Sequence, residues 1–321
     1  MRNKLIKSFK MNTPKLNSLG TLDNKYILLE KLNNDSEAII FKVLDNETNE
    51  IKVAKIFSEN KISNYKKEIN IIKAIGDSPF IIKYYCWGEG PLKIDGMDTE
   101  IKKYIILEYA EGSIFKFIEA LDSGFSENTC KFIFYQLILA IKNLHERGIC
   151  HRDIKLENLL FVGNEFSLRL CDFDMSTSFI DKRNKIKLYE RVGSPFHYPP
   201  EIIVGKLYDG EKIDVFCAGV SLKTLMTRKF GFYEASRADD LYKFIARKRY
   251  NEYWEKVDKN NTLSKECKEL YIKMVAYNPR DRPSLDDILN CEWLKNIKNA
   301  SEDELINIKK GMIEELRNVK F

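Results

Sequence analysis

Two short stretches carry residue types whose spacing could move a phosphate. HRDIKLENLL, residues 151–160, sets Asp153, Lys155 and Asn158 close together between apolar runs. An aspartate can accept a proton from a hydroxyl. A lysine two residues on can neutralise a phosphate, and an asparagine can bind a cation through its amide oxygen. CDFD, residues 171–174, places two aspartates around a phenylalanine. The first could hold a metal; the second has no evident task. Taken singly, each has a plain alternative: a polar turn, or an acidic turn after a strand.

The elements that must position these residues follow from periodicity. YILLEKL, EAIIFKVLD and EIKVAKIF, within residues 25–57, alternate or carry β-branched residues and read as strands, with NND and DNETN as turns. SNYKKEINIIKAIG repeats apolar residues at helical spacing and stops at Gly76. FIIKYYCWG and KYIILEYA read as two further strands, with EGPLKIDGMDTE between them as turn chemistry. Beyond Gly112 the texture turns helical. ENTCKFIFYQLILAIKNLHERG is strongly amphipathic, with an Asn/Thr start and a Gly stop. VFCAGVSLKTLMTRK, ADDLYKFIARKRYNEYWEKV, SKECKELYIKMVAY and SLDDILNCEWL follow as helical stretches. Strands first and helices after predict an α+β chain with a small sheet-rich lobe and a larger helical one. The seam falls near Tyr109–Gly112, and seams between lobes favour ligands.

In this order the motifs resemble those of eukaryotic protein kinases. HRDIKLEN is similar to the family's catalytic loop, a highly specific pattern. VAK is similar to the strand that carries the phosphate-binding lysine, and Glu68 falls on the next helix, where that lysine's partner stands. CDFD takes the place of the DFG motif, and GSPFHYPPE, residues 193–201, that of the segment ending in APE. Asp214 resembles the aspartate that anchors the catalytic loop. NPRDRPSLDDILNCEWL resembles the last block, whose Arg282 would pair with Glu201. The resemblance covers residues 25–295. It is closest in texture to the calcium/calmodulin-dependent and AMP-activated group.

The resemblance implies a bilobal α+β kinase fold, with an N-lobe over 24–110 and a C-lobe over 111–295; the sequence on either side reads as a basic arm over 1–23 and a helical tail over 296–321. It implies a serine/threonine kinase using ATP and Mg2+ on protein substrates, with Lys155 and Ser194 marking that type. Lys55 would hold the α- and β-phosphates while Glu68 orients it; Asp172 and Asn158 would hold magnesium. Asp153 would accept the substrate proton and Lys155 stabilise the transferred group. Adenine would lie between Leu32, Ile40 and Ala54 on one side and Leu160 on the other. It would bond the backbone of Glu108 and Ala110, behind Leu107. Glu157 matches a position that reads an upstream arginine in many relatives. Glu190 falls where many carry a phosphorylated threonine facing Arg152; Asn64 and Thr177 fall where some add basic residues.

Two features depart from the family. Asn33, Asp35 and Ala38 stand where its three glycines would be. Asn and Asp tolerate left-handed backbone, but Asp35 brings a negative charge near polyphosphate. Asp174 replaces the glycine of DFG, as an extra magnesium-shell acid, a mark of decay, or a turn residue. Two functional classes therefore stand: an active kinase, and a pseudokinase serving as a nucleotide-binding or scaffolding module.

The bulk composition narrows the rest. The 321 residues, 44% hydrophobic and 31% charged, are those of a globular chain. No run of about 18 apolar residues occurs, so no membrane span is expected. The net charge of +5 is spread among acids, which argues against a nucleic-acid partner. Seven cysteines without CxxC pairs fit a reducing, cytoplasmic setting. The basic start reads as a mobile arm or, less simply, a membrane-surface or targeting helix. The tail reads as a packed terminal helix or a segment for a regulatory partner.

Overall fold

The computed structural model describes residues 18–33, 38–121 and 124–317. Asp35 and the basic arm through residue 17 lie outside the described residues. The chain divides into two compact units, Met1–Tyr65 with Tyr84–Tyr109, and Lys66–Lys83 with Ala110–Phe321.

The first unit is strand-rich. Strands β1 (Gly20–Leu22), β2 (Tyr26–Lys31), β3 (Ala38–Asp45), β4 (Ile51–Phe57), β5 (Tyr84–Ile94) and β6 (Glu100–Glu108) close an antiparallel barrel in the order β1-β2-β3-β4-β6-β5. Leu22, Tyr26, Leu28, Phe41, Val43, Ala54, Ile56, Leu92, Tyr104 and Ile106 form its core. Helix α1 (Ile62–Ile75), which from Lys66 onward belongs to the second unit, matches the helical period read from the sequence.

Three expectations fail here. β1 pairs with β2 and β5, so residues 20–22, expected in the arm, belong to the barrel. VAK consequently lies on the fourth strand, not the third. EGPLKI, expected as turn, continues β5 to Ile94. Gly90 reads as a turn residue but serves close packing: a Cβ there would stand 2.3 Å from Asp23 Oδ1. Pro91 interrupts no pairing on the β1 side, because its carbonyl accepts the Asp23 N–H at 2.8 Å.

The second unit is mainly helical. β7 (Gly112–Ser113) leads into α2 (Ile114–Ala120) and the long α3 (Glu127–His145). Ser126, not an Asn or Thr, caps α3 by accepting the Thr129 N–H. β8 (Ile149–Cys150) opens the HRD stretch; β9 (Leu159–Val162) and β10 (Ser167–Leu170) form the hairpin that leads to CDFD, and β11 (Thr177–Ser178) pairs back onto β8. Then come α4 (Pro200–Ile203), α5 (Gly210–Thr227), α6 (Tyr242–Ala246), α7 (Tyr250–Val257), α8 (Lys265–Met274), α9 (Leu285–Leu289), α10 (Lys295–Lys298) and α11 (Glu302–Arg317). The single helix expected over ADDLYKFIARKRYNEYWEKV is two, because Lys248 turns left-handed (φ 58) and breaks the ladder.

Side-chain anchors tie these helices together. Arg282 grips Glu201 with two bonds of 2.6 and 2.7 Å, both partners buried. The tail is docked on α3: Met312 and Leu316 are buried. Glu315 accepts bonds from Ser126 N (3.1 Å), Ser126 Oγ (2.7 Å) and Thr129 Oγ1 (2.9 Å). A carboxylate there also faces the positive end of the α3 dipole. Among the described residues no helix is long and apolar enough to cross a membrane, and no disulfide is formed.

Candidate active site

The HRD loop hangs from α5 by one buried carboxylate. Asp214, fully buried, accepts the backbone N–H groups of His151 and Arg152, each at 2.8 Å, and bonds His145 Nε2 at 2.8 Å. The loop that follows is thereby held in place, with Arg152 itself in the left-handed region (φ 67).

Asp153 is the hub of that loop. Its Oδ1 accepts the Ser194 N–H at 2.8 Å. Its Oδ2 accepts from Lys155 Nζ at 2.7 Å and Asn158 Nδ2 at 3.2 Å. Lys155 Nζ also donates to Ser194 Oγ at 2.8 Å. Ser194 can come this close because Gly193 (φ 98) precedes it; a Cβ there would stand 2.4 Å from Arg152 O. Burial pulls the Asp153 carboxyl upward, but the Lys155 ammonium and the Ser194 bond outweigh it and hold it below its usual range. Burial likewise opposes the Lys155 charge, and its bond to Asp153 outweighs that and raises it. The result is an ionised carboxylate beside a charged amine, ready to accept a proton from a hydroxyl and to neutralise a phosphoryl oxygen.

Asn158 Nδ2 bonds both the carbonyl and the carboxylate of Asp153, at 2.9 and 3.2 Å. That fixes the amide and leaves its oxygen as the end available to a cation. Asp172 lies near enough for its charge to act on Lys155. One carboxylate and one amide oxygen are hard donors, suited to Mg2+. Among the described residues no group of three or more His, Cys, Asp or Glu could hold a metal ion alone.

The backbone explains how CDFD tolerates its last residue. The left-handed position is Asp172 (φ 64), and Asp174 is not among the positive-φ residues. No glycine is demanded at 174. Phe173 is fully buried and packs on His151, with ring centroids 5.2 Å apart.

Glu190 meets Arg152, as its place in the sequence predicts. Arg152 Nη1 donates to Glu190 Oε2 at 2.6 Å and to Tyr208 Oη at 3.1 Å, while Nε donates to Met175 O at 2.6 Å. Tyr208 Oη donates in turn to Glu190 O at 2.7 Å. The Arg152 bond, against mild burial, holds the Glu190 carboxyl below its usual range, with the nearby charges of Arg152 and Lys67 acting the same way. Asn64 and Thr177, at the positions where some relatives add basic residues, do not bond Glu190: the Asn64 side chain accepts from Ser63 Oγ, and Thr177 sits in the β8–β11 pair. The basic side chain besides Arg152 whose charge acts on Glu190 is Lys67, whose Nζ donates to Asp174 O at 3.2 Å. Helix periodicity could not choose among these α1 residues, and nothing in the sequence marks Tyr208.

In the first unit Lys55 is buried on β4, paired across with Ile40 and Ile105. Partners across a ladder share a face and neighbours along a strand alternate. Lys55, Val53, Ile40 and Leu107 thus lie on one face, while Ala54 pairs with Phe41 and Ile106 and points into the barrel core. Ala54, expected beside a ligand on the Lys55 face, lies on the opposite face, and Val53 takes that place beside Lys55. Strand alternation alone was the signal for it. Leu32 is 43% exposed. Glu108 ends β6; Glu68, a residue of the second unit, is buried on α1. In the second unit Leu160 lies on β9, paired with Ser113 and Arg169. Ala110 opens that unit's main stretch.

A family model for the protein kinase domain matches residues 26–294. CBL-interacting protein kinase 26 of Oryza sativa subsp. japonica is 31% identical over 83% of this chain and 48% of its own. The SNF-related serine/threonine-protein kinase of Homo sapiens is 29% identical over 77% and 32%. Calcium-dependent protein kinase 5 of Plasmodium berghei (strain Anka) is 29% identical over 95% and 50%. The chain spans half or less of the length of these relatives.

Proposed function

Because this chain belongs to the protein kinase domain family, we propose that it is an ATP-dependent serine/threonine protein kinase acting in the cytoplasm on protein hydroxyls, with Mg2+ as cofactor. The observation that carries this is the Asp153 hub, where one ionised carboxylate is bonded by Lys155, Asn158 and the Ser194 N–H. The serine/threonine type rests on Lys155 bonded to Ser194, and is the type printed for the human relative.

The chain's residues divide the work. Asp153 accepts the proton of the substrate hydroxyl as its oxygen bonds to the γ-phosphorus. The bond from that phosphorus to the β-bridging oxygen breaks, and ADP leaves. Lys155 neutralises the transferring group. Asn158 and Asp172 would hold Mg2+ through their oxygens, and the ion would offset charge on the phosphates. Lys55 and Glu68 are assigned to phosphate binding from the family pattern. Leu32, Ile40, Leu160 and, in place of Ala54, Val53 are assigned to the adenine faces, and the backbones of Glu108 and Ala110 to its edge.

The test is transfer of labelled γ-phosphate to a generic protein substrate beside Asp153→Asn and Asp172→Ala. Serine or threonine labelling that each substitution lowers by orders of magnitude supports the proposal. Labelling that survives Asp153→Asn, or none from the unaltered chain with Mg·ATP at millimolar concentration, refutes it.

A further inference from the structure

Asn33 stands where the family's phosphate-covering loop begins with a glycine, and its side chain does something a glycine cannot. Main-chain pairing of β2 with β3 runs from Tyr26↔Asp45 to Lys31↔Phe41, and Leu32 N donates to Ile40 O at 2.8 Å. At the next residue the side chain takes over. Asn33 Oδ1 accepts the Ile40 N–H at 2.8 Å, and Asn33 Nδ2 donates to Ala38 O at 3.0 Å.

An amide has one accepting and one donating end, and both are used. These bonds reach five and seven residues along the chain, so they are not a local Asx turn. They add one rung to the ladder and join the chain on either side of residues 34–37. Ile40 is held twice over, by the Leu32 main chain and the Asn33 side chain. It lies on the Lys55 face of the sheet.

We propose that Asn33 is a positioning residue for nucleotide binding: its amide clamps β2 to β3 and fixes Ile40 where the family relies on a glycine. The proposal rests on the nucleotide-binding part of the function proposed above. It makes restoring the family's glycine harmful, since glycine brings freedom and removes both bonds.

The experiment measures Mg·ATP affinity of the full chain by calorimetry for the parent, Asn33→Gly and Asn33→Ala. It adds steady-state kinetics and the melting temperature without nucleotide. Expected is a rise of about tenfold in the dissociation constant and KM for ATP in both variants, the worth of one to two partly exposed hydrogen bonds. The kcat and the KM for protein substrate should stay within about twofold, as for a loss of uniform binding. Asn33→Gly binding Mg·ATP as tightly as the parent, or more tightly, overturns the clamp. So does a lowered melting temperature with unchanged ATP affinity, which makes the amide purely structural. A parent that binds no Mg·ATP refutes the nucleotide reading and this inference with it. A parent that binds Mg·ATP but transfers no phosphate refutes the kinase reading alone, and the affinity series still decides the clamp.

Discussion

Replacing Glu190 with alanine leaves the buried Arg152 guanidinium without its carboxylate, and the cost can be bracketed. Losing one partner of a fully buried pair costs about 3–5 kcal/mol; an exposed pair is worth under ~1 kcal/mol. Here Arg152 is buried and Glu190 is half exposed. The guanidinium also keeps its bonds to Met175 O and Tyr208 Oη. An intermediate ~2 kcal/mol follows, or about 30-fold in activity if the pair orders the segment that brings Ser194 to Asp153. Glu190→Gln keeps an acceptor without the charge and should lose less. The assay uses chain made in a host without other kinases, shown unmodified by intact mass, beside Glu190→Ala and Arg152→Ala. The parent should be active as made. The pH dependence supplies a second check. Arg152 holds Glu190 below its usual carboxylate range, so the stabilisation is fully present above the ordinary glutamate value. It is lost only as pH falls through the lowered one. Between pH 6 and 8 this pair should add no inflection, whereas a phosphate, with a second pKa near ~6, would. Full activity in Glu190→Ala, or activity that waits for an upstream kinase, refutes a built-in charge at this position.

Three further outcomes are expected. Glu315→Ala removes three bonds at the start of α3; it should cost ~1–2 kcal/mol and speed hydrogen exchange in α11, and unchanged exchange would show that Met312 and Leu316 alone hold the tail. Asp35→Gly should tighten Mg·ATP binding by ~1 kcal/mol through loss of a like charge near polyphosphate. This rests on sequence alone, and a titration with equal or weaker affinity counts against it. Glu157 is exposed beside the Asp153 loop, so Glu157→Gln should erase a preference for arginine or lysine before the target hydroxyl in a peptide library. A parent with no such preference removes the idea.

The sequence by itself determined the motifs and their order. HRDIKLEN, CDFD and GSPFHYPPE each hold residue types that few other tasks would need together, and the chain folds Asp153, Lys155, Asn158 and Ser194 into one bonded cluster. Long amphipathic stretches such as α3 were legible for the same reason, because a helix that buries one face must repeat it. Which residue faces which was less legible. Ala54 and Lys55 are neighbours in sequence but point to opposite sides of a pleated strand, and alternation would have separated them. Gly90–Pro91 looked like a turn because both residues favour turns, yet Gly90 sits where only a hydrogen fits against Asp23. Other choices lay wholly in the tertiary structure. The charge of Lys67, not a bond from Asn64, acts on Glu190, and Tyr208 joins Arg152 to the backbone of residue 190. The tail closes on α3 through Glu315. Each of these contacts joins residues far apart in sequence, and no local pattern of charge or hydrophobicity distinguishes the lysine, tyrosine or glutamate that makes it from those that do not.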